Sequence, residues 1–148
     1  MRLTLTHVEV SIPRGTLTAA FESELDRLLH DGFGWTGRTT VAEHPALGPT
    51  TERTYAMTNH VRLVLREAPT ALQPGTEDHF GFQLEPGQID DLAAKCIALA
   101  NDDDRVELRY VDDGRASAID LGDAVFRTFF VRYLIPLWFQ FEALEPKQ

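Results

Sequence analysis

A short pattern occurs twice in this chain, and its two copies lie about half the chain length apart. The first copy begins at His7 and reads HVEVSI, and the second begins at His79 and reads HFGFQL. In each copy an aliphatic residue lies five positions after the histidine, a glycine lies eight positions after it, and a run with helical apolar spacing follows. A repeat of 72 residues in a chain of 148 predicts one structural module used twice. It also places a histidine at the same point of each module.

The first half of the chain reads as a strand, a helix and three strands. Residues 3–12 alternate between apolar and polar side chains, which is strand periodicity, and His7 and Glu9 share one face. Apolar positions at helical spacing follow, and Thr16 is the predicted N-cap. Three strands are predicted next, at residues 38–42, 54–57 and 61–66, and the last two form a hairpin. Residues 44–51, between the first two of these strands, are predicted to be a loop.

The second half repeats this order after a linker. Residues 68–78 contain two prolines and a glycine and have no apolar period, so they are predicted to join a module of residues 1–67 to a module of residues 79–148 within a single domain, 1–148. The second module is predicted to contain a strand at residues 79–84, a helix at 88–100 and a strand at 106–111. An acidic connection at 112–122 and a long apolar hairpin, formed by residues 124–134 and 137–144, follow.

Composition excludes several classes of function. The formal net charge of −9 argues against a nucleic-acid partner, because phosphate binding needs clustered lysine and arginine. No apolar run approaches the ~20 residues that a membrane span requires. The N-terminus lacks the apolar core of a signal peptide, so a cytoplasmic protein is expected. The single cysteine, Cys96, lies on the predicted second helix and is expected to be a buried structural thiol.

Two tandem βαβββ modules, each opening on a histidine, resemble the vicinal oxygen chelate superfamily. That superfamily includes glyoxalase I, extradiol dioxygenases, and fosfomycin- and bleomycin-resistance proteins. The resemblance covers nearly the whole chain and rests on the order and spacing of short motifs. It implies an α+β fold in which the two modules form a cupped, mixed-sheet half-barrel. It further implies a homodimer, and a metal held by the first and last strands of the modules that chelates neighbouring oxygens of a small-molecule substrate.

The resemblance transfers three metal ligands to this chain. They are His7, His79 and a carboxylate on the last strand, for which Glu142 is preferred because an anion balances a divalent cation. Gln140 satisfies the same alternation and is the alternative ligand, or a residue that bonds to a ligand. Two imidazoles and one carboxylate leave open coordination positions and suit Fe²⁺, Mn²⁺, Zn²⁺ or Ni²⁺ without choosing among them.

Further residues are candidates for contact with a substrate. Glu9 lies on the same strand face as the first histidine and is the candidate general base. Arg62 could hold an anionic group. Arg62 lies on the strand from which glyoxalase I supplies a fourth metal ligand, a glutamate. Because this strand has arginine on its polar face and no glutamate, a site with three ligands is expected instead. Tyr55 and Trp138 are candidates for lining a pocket, and packing in the core is the alternative for both.

These features predict a divalent-metal-dependent enzyme of the dioxygenase, isomerase or lyase type. The metal would act as a Lewis acid on a small molecule with neighbouring oxygens. The alternative is a non-catalytic protein that binds and sequesters a small molecule, as in the bleomycin-resistance branch, where acidity would suit a cationic compound. A third reading is a dimeric scaffold that has kept only the fold.

Overall fold

The chain folds into two compact units, residues 1–73 and 74–148, in a computed structural model that describes residues 4–58, 60–72 and 79–147. Most of the predicted linker, from residue 73 to residue 78, lies outside the described residues, as does Asn59 between the two strands of the hairpin predicted at 54–57 and 61–66. In the described part of the chain, no helix is long and apolar enough to cross a membrane.

The first unit contains the predicted strand, helix and three strands. These elements are β1 (His7–Pro13), α1 (Ala19–Leu29), β2 (Thr36–His44), β3 (Gly48–Ala56) and β4 (Arg62–Ala68). The strand order in the sheet is β1-β4-β3-β2. The first and last strands, β1 and β4, pair in parallel, whereas β2, β3 and β4 pair as an antiparallel meander. The sheet is therefore mixed.

Two predictions about the strands of this unit were wrong. The first strand begins at His7 rather than at residue 3. The expected loop at residues 44–51 is mostly strand, because β2 runs to His44 and β3 starts at Gly48. Pro49 is tolerated there because it precedes Glu52, where the pairing of β3 with β4 begins, and so lies on a one-sided stretch of the strand.

The N-cap of α1 also differs from the prediction. Thr18 caps the helix, and its Oγ1 accepts a hydrogen bond from the backbone N–H of Phe21 at 3.2 Å. The hydroxyl of Thr16 instead donates to the carbonyl of Pro13 at 2.7 Å, within the turn that leads to the helix.

The second unit repeats the plan with added short strands. Its elements are β5 (His79–Gln83), α2 (Pro86–Asp102), β6 (Glu107–Arg109), β7 (Val111–Asp112), β8 (Arg115–Asp120), β9 (Ala124–Arg132) and β10 (Trp138–Pro146). The strand order is β5-β10-β9-β8-β7, and β6 also pairs with β9. As in the first unit, the first and last strands are parallel, and the apolar hairpin of β9 and β10 is confirmed.

The acidic connection predicted at residues 112–122 was wrong, because β8 occupies its centre. This strand pairs with β7 on one side and with β9 on the other. β8 forms a strand mainly because its backbone pairs with two neighbours, and less because its apolar side chains are buried, since Ala116 is buried but Ile119 is about half exposed. The strand predicted at 106–111 is interrupted at Tyr110, whose φ of 58° breaks the extended backbone.

Each helix covers one face of the sheet in its own unit. In the first unit, Arg53 of β3 donates to Asp26 of α1 at 2.9 and 2.6 Å and to Glu22 of α1 at 3.1 Å. In the second unit, Arg127 of β9 donates to Asp90 of α2 at 2.7 Å. The face toward α2 carries the buried aromatic core, Phe129, Phe139 and Phe141, and α2 buries Cys96 there, as predicted. Burial raises the pKa of the Cys96 thiol to about 12.

The buried arginine of the first unit predicts a requirement for glycine at position 37. A Cβ on Gly37 would lie 2.6 Å from Cε1 of Tyr55 and 2.7 Å from Nη2 of Arg53. We expect Gly37→Ala to lower the free energy of unfolding by about 1–3 kcal/mol, measured by denaturant titration. Gly87→Ala is the control, because a Cβ on Gly87 meets nothing within 4 Å. Equal stability of the Gly37 variant and the unmodified protein would contradict this packing.

Candidate functional site

The two repeated histidines occupy equivalent places within their own units. His7 is the first residue of β1 and pairs with Arg62, the first residue of β4. His79 is the first residue of β5 and pairs with Trp138, the first residue of β10. In both units the pairing is parallel, and directly paired residues have their side chains on the same face of the sheet. Each histidine therefore lies beside the start of the last strand of its module, on the face opposite the helix.

The sheet face of the second unit that carries His79, which we call the His79 face, is built from ordered rows of side chains. The strand registers align residues of neighbouring strands in rows, of which the first two extend from β6 to β5 and the third from β9 to β5. The first row, from β6 to β5, contains Glu107, Arg132, Trp138 and His79. The second row contains Arg109, Phe130, Gln140 and Gly81. The third row contains Thr128, Glu142 and Gln83.

The strand register favours Gln140 over Glu142 as a partner of His79. Gln140 lies two residues beyond Trp138, the direct neighbour of His79, and is therefore diagonal to the histidine. Glu142 lies four residues beyond Trp138, a distance of about 13 Å along the strand. The Gln140 amide nitrogen donates to Thr128 Oγ1 at 3.3 Å, and a Cβ on Gly81 would lie 3.7 Å from Gln140 Oε1. The amide oxygen is thus directed over Gly81, on the side of His79.

Trp138 forms the floor of the first row. Its side chain is 1% exposed. The guanidinium groups of Arg109 and Arg132 lie 4.3 and 4.6 Å from the centroid of its ring. Arg132 is also held by Glu107, which accepts from its Nε at 3.0 Å and from its Nη2 at 2.6 Å. These contacts hold the indole ring in place. This is consistent with both roles considered for Trp138, which are lining a pocket and packing in the core.

Aromatic rings cross the second row. Phe130 makes an edge contact with His79, with ring centroids 5.4 Å apart, and a tilted contact with Tyr110 at 5.5 Å. The Tyr110 side chain is 59% exposed and His79 is also exposed. The His79 face therefore presents an imidazole, two other aromatic rings and an amide oxygen close together.

On the corresponding face of the first unit, the candidate base is engaged in an ion pair. Arg66 Nε lies 3.0 Å from Glu9 Oε1, and Arg66 Nη2 donates to Glu9 Oε2 at 3.1 Å. Arg66 also lies 2.6 Å from Glu52 and donates to Thr50 at 2.7 Å. The hydrogen bond to Glu9 raises the pKa of the nearly buried Arg66 above its ordinary value. This pairing occupies both oxygens of the Glu9 carboxylate, so a role as general base would require the ion pair to open.

The other two candidates of the first unit lie in contrasting places. Arg62 is exposed and shares the His7 face. Tyr55 is fully buried on the opposite face, where its hydroxyl donates to Asp26 of α1 at 2.6 Å. Burial, first, and the bond to Asp26 raise the pKa of the Tyr55 hydroxyl. This environment is that of a core residue and does not bring Tyr55 to His7.

No group of three or more His, Cys, Asp or Glu side chains that could hold a metal ion occurs within residues 4–58, 60–72 and 79–147. The second unit by itself offers two neutral donors, the His79 imidazole and the Gln140 amide oxygen. Both donor types bind first-row divalent metals. The residues thus fit a metal that completes its coordination with other ligands, and they do not form a closed structural site.

Sequence reasoning missed several residues of the His79 face. Arg109 and Arg132 stack on Trp138, and Phe130 links Tyr110 to His79. No local motif marks them, since they come together only through the pairing of β6, β9, β10 and β5. Alternation along β9 could have placed Phe130 and Arg132 on one face, but not opposite His79.

Comparison with solved structures agrees with this architecture. The fosfomycin resistance protein FosX from Listeria monocytogenes matches with a TM-score of 0.64 and 16% sequence identity, over 100% of this chain and 96% of that chain. A putative glyoxalase family protein from Bacillus anthracis matches with a TM-score of 0.60 and 16% identity, over 99% and 98% of the two chains. A glyoxalase/bleomycin resistance protein from Albidiferax ferrireducens T118 matches with a TM-score of 0.54 and 12% identity, over 94% and 98%.

These neighbours are proteins of the vicinal oxygen chelate superfamily, and the chain has their α+β fold of βαβββ modules. The resemblance seen in the sequence is thereby confirmed for the fold. One structure of the Listeria FosX is a complex with Mn(II) and sulfate. No protein-family profile and no curated protein matches the sequence.

Proposed function

We propose that this protein is a divalent-metal-dependent enzyme that acts on a small molecule with neighbouring oxygen atoms at the His79 face. The reaction would be of the dioxygenase, isomerase or lyase type. The observation that carries the proposal is the parallel register of β5 and β10, which brings His79 and Gln140 onto one face. The Mn(II) complex of a protein with the same fold supports the use of a divalent metal.

In this proposal His79 and Gln140 are the metal ligands of the second unit, and His7 remains the further candidate ligand that the sequence indicates. Glu142 is the less favoured last-strand ligand because of its place in the register. When bound, the metal would polarise the substrate oxygens as a Lewis acid. Among Fe²⁺, Mn²⁺, Zn²⁺ and Ni²⁺, an imidazole and an amide oxygen do not select one ion.

The chain's own residues would bind and orient the substrate around this metal. Trp138 and its stacked arginines provide a rigid floor, which limits the conformational cost of binding. Arg62 remains the candidate for an anionic group of the substrate, and Glu9 remains the candidate base. The homodimer and the cytoplasmic location also remain proposals, which rest on the resemblance and on the sequence.

Metal affinity distinguishes the two candidate ligands of the last strand. Gln140→Glu adds an anionic donor beside His79, and we expect it to strengthen Mn²⁺ binding by about tenfold or more. His79→Ala should weaken Mn²⁺ binding by a similar factor. Both are measured by calorimetric titration of chelator-treated protein.

Glu142→Gln is the matched control, because it removes a carboxylate two residues further along the same strand face. We expect it to leave Mn²⁺ affinity within about twofold, since it lies outside the coordination distance of a metal on His79. Loss of Mn²⁺ binding in Glu142→Gln, with no effect of the Gln140 change, would assign the ligand to Glu142 and overturn the proposed pair. Absence of divalent-metal binding to the unmodified protein would reject the metal-dependent function.

A second candidate is a non-catalytic protein that sequesters a small molecule. The neutral amide of Gln140 favours it, because this last-strand position diagonal to His79 lacks the carboxylate that a strong metal site would use. Proteins of similar fold include a fosfomycin resistance protein and a glyoxalase/bleomycin resistance protein.

Binding without metal distinguishes this second candidate from the first. If the protein sequesters its ligand, fosfomycin or bleomycin should bind in the presence of EDTA. That affinity should persist in the His7→Ala/His79→Ala double variant, since no metal ligand is needed. Calorimetric titration measures both. Binding that requires Mn²⁺ and disappears in the double variant would contradict sequestration and support the metal-dependent function.

A further inference from the structure

The sheet face of the first unit that carries His7, which we call the His7 face, holds two exposed arginines, Arg38 of β2 and Arg62 of β4. Neither side chain has a carboxylate partner within the described residues. We infer that these two arginines together bind a tetrahedral oxyanion, such as a phosphate group, above β3. The inference rests on the proposed function in one respect, because Arg62 is the candidate there for an anionic group, but it requires no metal.

The strand registers place the two arginines on either side of β3. Arg62 pairs with Ala56, and Arg38 pairs with Thr54, two residues away on the same strand. Directly paired residues share a face of the sheet, so all four side chains lie on the His7 face. Two strand spacings and one step of two residues separate the Cα atoms of the arginines by about 12 Å. The long stem of an arginine spans roughly half of that distance, so both guanidiniums can meet above β3.

A third arginine on the same face explains why these two have no carboxylate partner. Glu9 lies diagonal to Arg62 in the sheet, where it could form an ion pair. Glu52 lies diagonal to Arg38 in the same way. Arg66 holds both carboxylates instead, with its Nε 3.0 Å from Glu9 and its Nη2 2.6 Å from Glu52. Because Arg66 is 8% exposed, this cluster is a fixed part of the sheet.

The local charges favour an anion between the two arginines, although the whole chain carries a net charge of −9. The registers give the first two rows of the His7 face as His7, Arg62, Ala56 and Thr36, and Glu9, Val64, Thr54 and Arg38. These rows contain two arginines and one carboxylate, and that carboxylate is already bound by Arg66. An anion above Thr54 and Ala56 is therefore attracted from both sides.

The geometry favours a tetrahedral group over a single carboxylate. A guanidinium donates two parallel N–H bonds through its planar fork. The two oxygens of a carboxylate point to one side, whereas the oxygens of a phosphate point in several directions and can accept from forks on opposite sides of β3. Thr54 lies between the arginines, and its hydroxyl makes no hydrogen bond within the described residues, so it can donate to a further oxygen. The small side chain of Ala56 leaves room beside Arg62.

Titration of chelator-treated protein, in a buffer without chelator or other multivalent anions, tests the ligand class. Backbone amide signals are followed while inorganic phosphate, ethyl phosphate or malonate is added at about pH 8, where a phosphate group carries close to two charges. We expect both phosphates to shift the signals of Arg38, Thr54 and Ala56 along one binding curve. Malonate carries the same charge on planar carboxylates and should bind several-fold more weakly.

The relative affinities of the two phosphates identify the source of the group. Tighter binding of ethyl phosphate indicates a phosphate ester as the ligand, and tighter binding of inorganic phosphate indicates the free ion. If malonate binds as tightly as both phosphates, the inference of a tetrahedral group is wrong.

Substitution of each arginine tests the two residues. Arg38→Gln and Arg62→Gln should each weaken phosphate binding by about tenfold, because each removes charge-assisted hydrogen bonds to the anion. Both side chains are exposed, so the denaturation midpoint should not change. Arg115→Gln is the matched control, since it removes an exposed arginine of β8 in the second unit with the same change in net charge. Equal weakening in all three variants, or unchanged binding in either of the first two, would contradict the inference.

A variant that leaves the charge unchanged tests the position above β3. Ala56 is exposed, so Ala56→Leu should fold normally while filling the space beside Arg62. We expect it to weaken phosphate binding by about tenfold, in line with the loss of one bonded arginine. Ala20→Leu, at an exposed position of α1 on the other side of the sheet, is the control. A phosphate affinity that is unchanged in the Ala56 variant would overturn the site.

Mn²⁺ titration keeps the failure of this inference distinct from the failure of the proposed function. Mn²⁺ binding that responds to Gln140→Glu, with no phosphate binding to the unmodified protein, would uphold the metal site and reject the phosphate site. Phosphate binding that is lost in both arginine variants, together with no Mn²⁺ binding, would uphold the phosphate site and reject the metal-dependent function.

Discussion

The parallel pairing of the first and last strands of each module is the constraint on which the rest of this structure depends. A parallel pair cannot be closed by a tight turn, so the helix and the intervening strands of each module form the connection between its two members. The pairing places His7 beside Arg62 in the first unit and His79 beside Trp138 in the second. It therefore gives the repeated histidine the same setting in each unit.

The same pairing separates each sheet into two chemically different faces. The helix side carries the apolar core and partly buried ion pairs, such as that between Arg53 and Asp26. The opposite side carries the histidines and polar or aromatic residues. Buried ion pairs add little net stability when compared with apolar packing, but removing one partner leaves an uncompensated charge. The arginines on the helix side thus attach each helix to its own sheet. The opposite face of each sheet carries the candidate site residues.

The repeat in the sequence was sufficient to predict the modules and the equivalence of the histidines. It was insufficient for short elements that depend on their neighbours. β8 is polar and partly exposed, and it is a strand because the backbones of β7 and β9 pair with it. Residues 48–51 read as a loop because of Pro49, yet they extend a strand whose other edge is unpaired at that point.

The choice between Gln140 and Glu142 shows the same limit at the candidate site. Alternation places both side chains on one face, and the preference for a carboxylate selected Glu142. Only the register between β5 and β10, which are far apart in sequence, places Gln140 diagonal to His79 and Glu142 further away. Tyr55 shows the same limit for a residue of the core. Its pairing with Leu63 and its hydrogen bond to Asp26 of α1 place its side chain on the helix side of the sheet, away from His7.

The central claim is that the His79 face, at Gly81 and Gln140, is where a metal and its ligand meet this protein. Paramagnetic broadening of backbone amide signals by substoichiometric Mn²⁺ tests it most directly, because the effect falls steeply with distance from the ion. The account predicts that the amides of His79, Gly81 and Gln140 broaden first. Broadening centred on Glu142, or on the acidic run Asp102–Asp104, with the Gly81 signal unchanged, would contradict it.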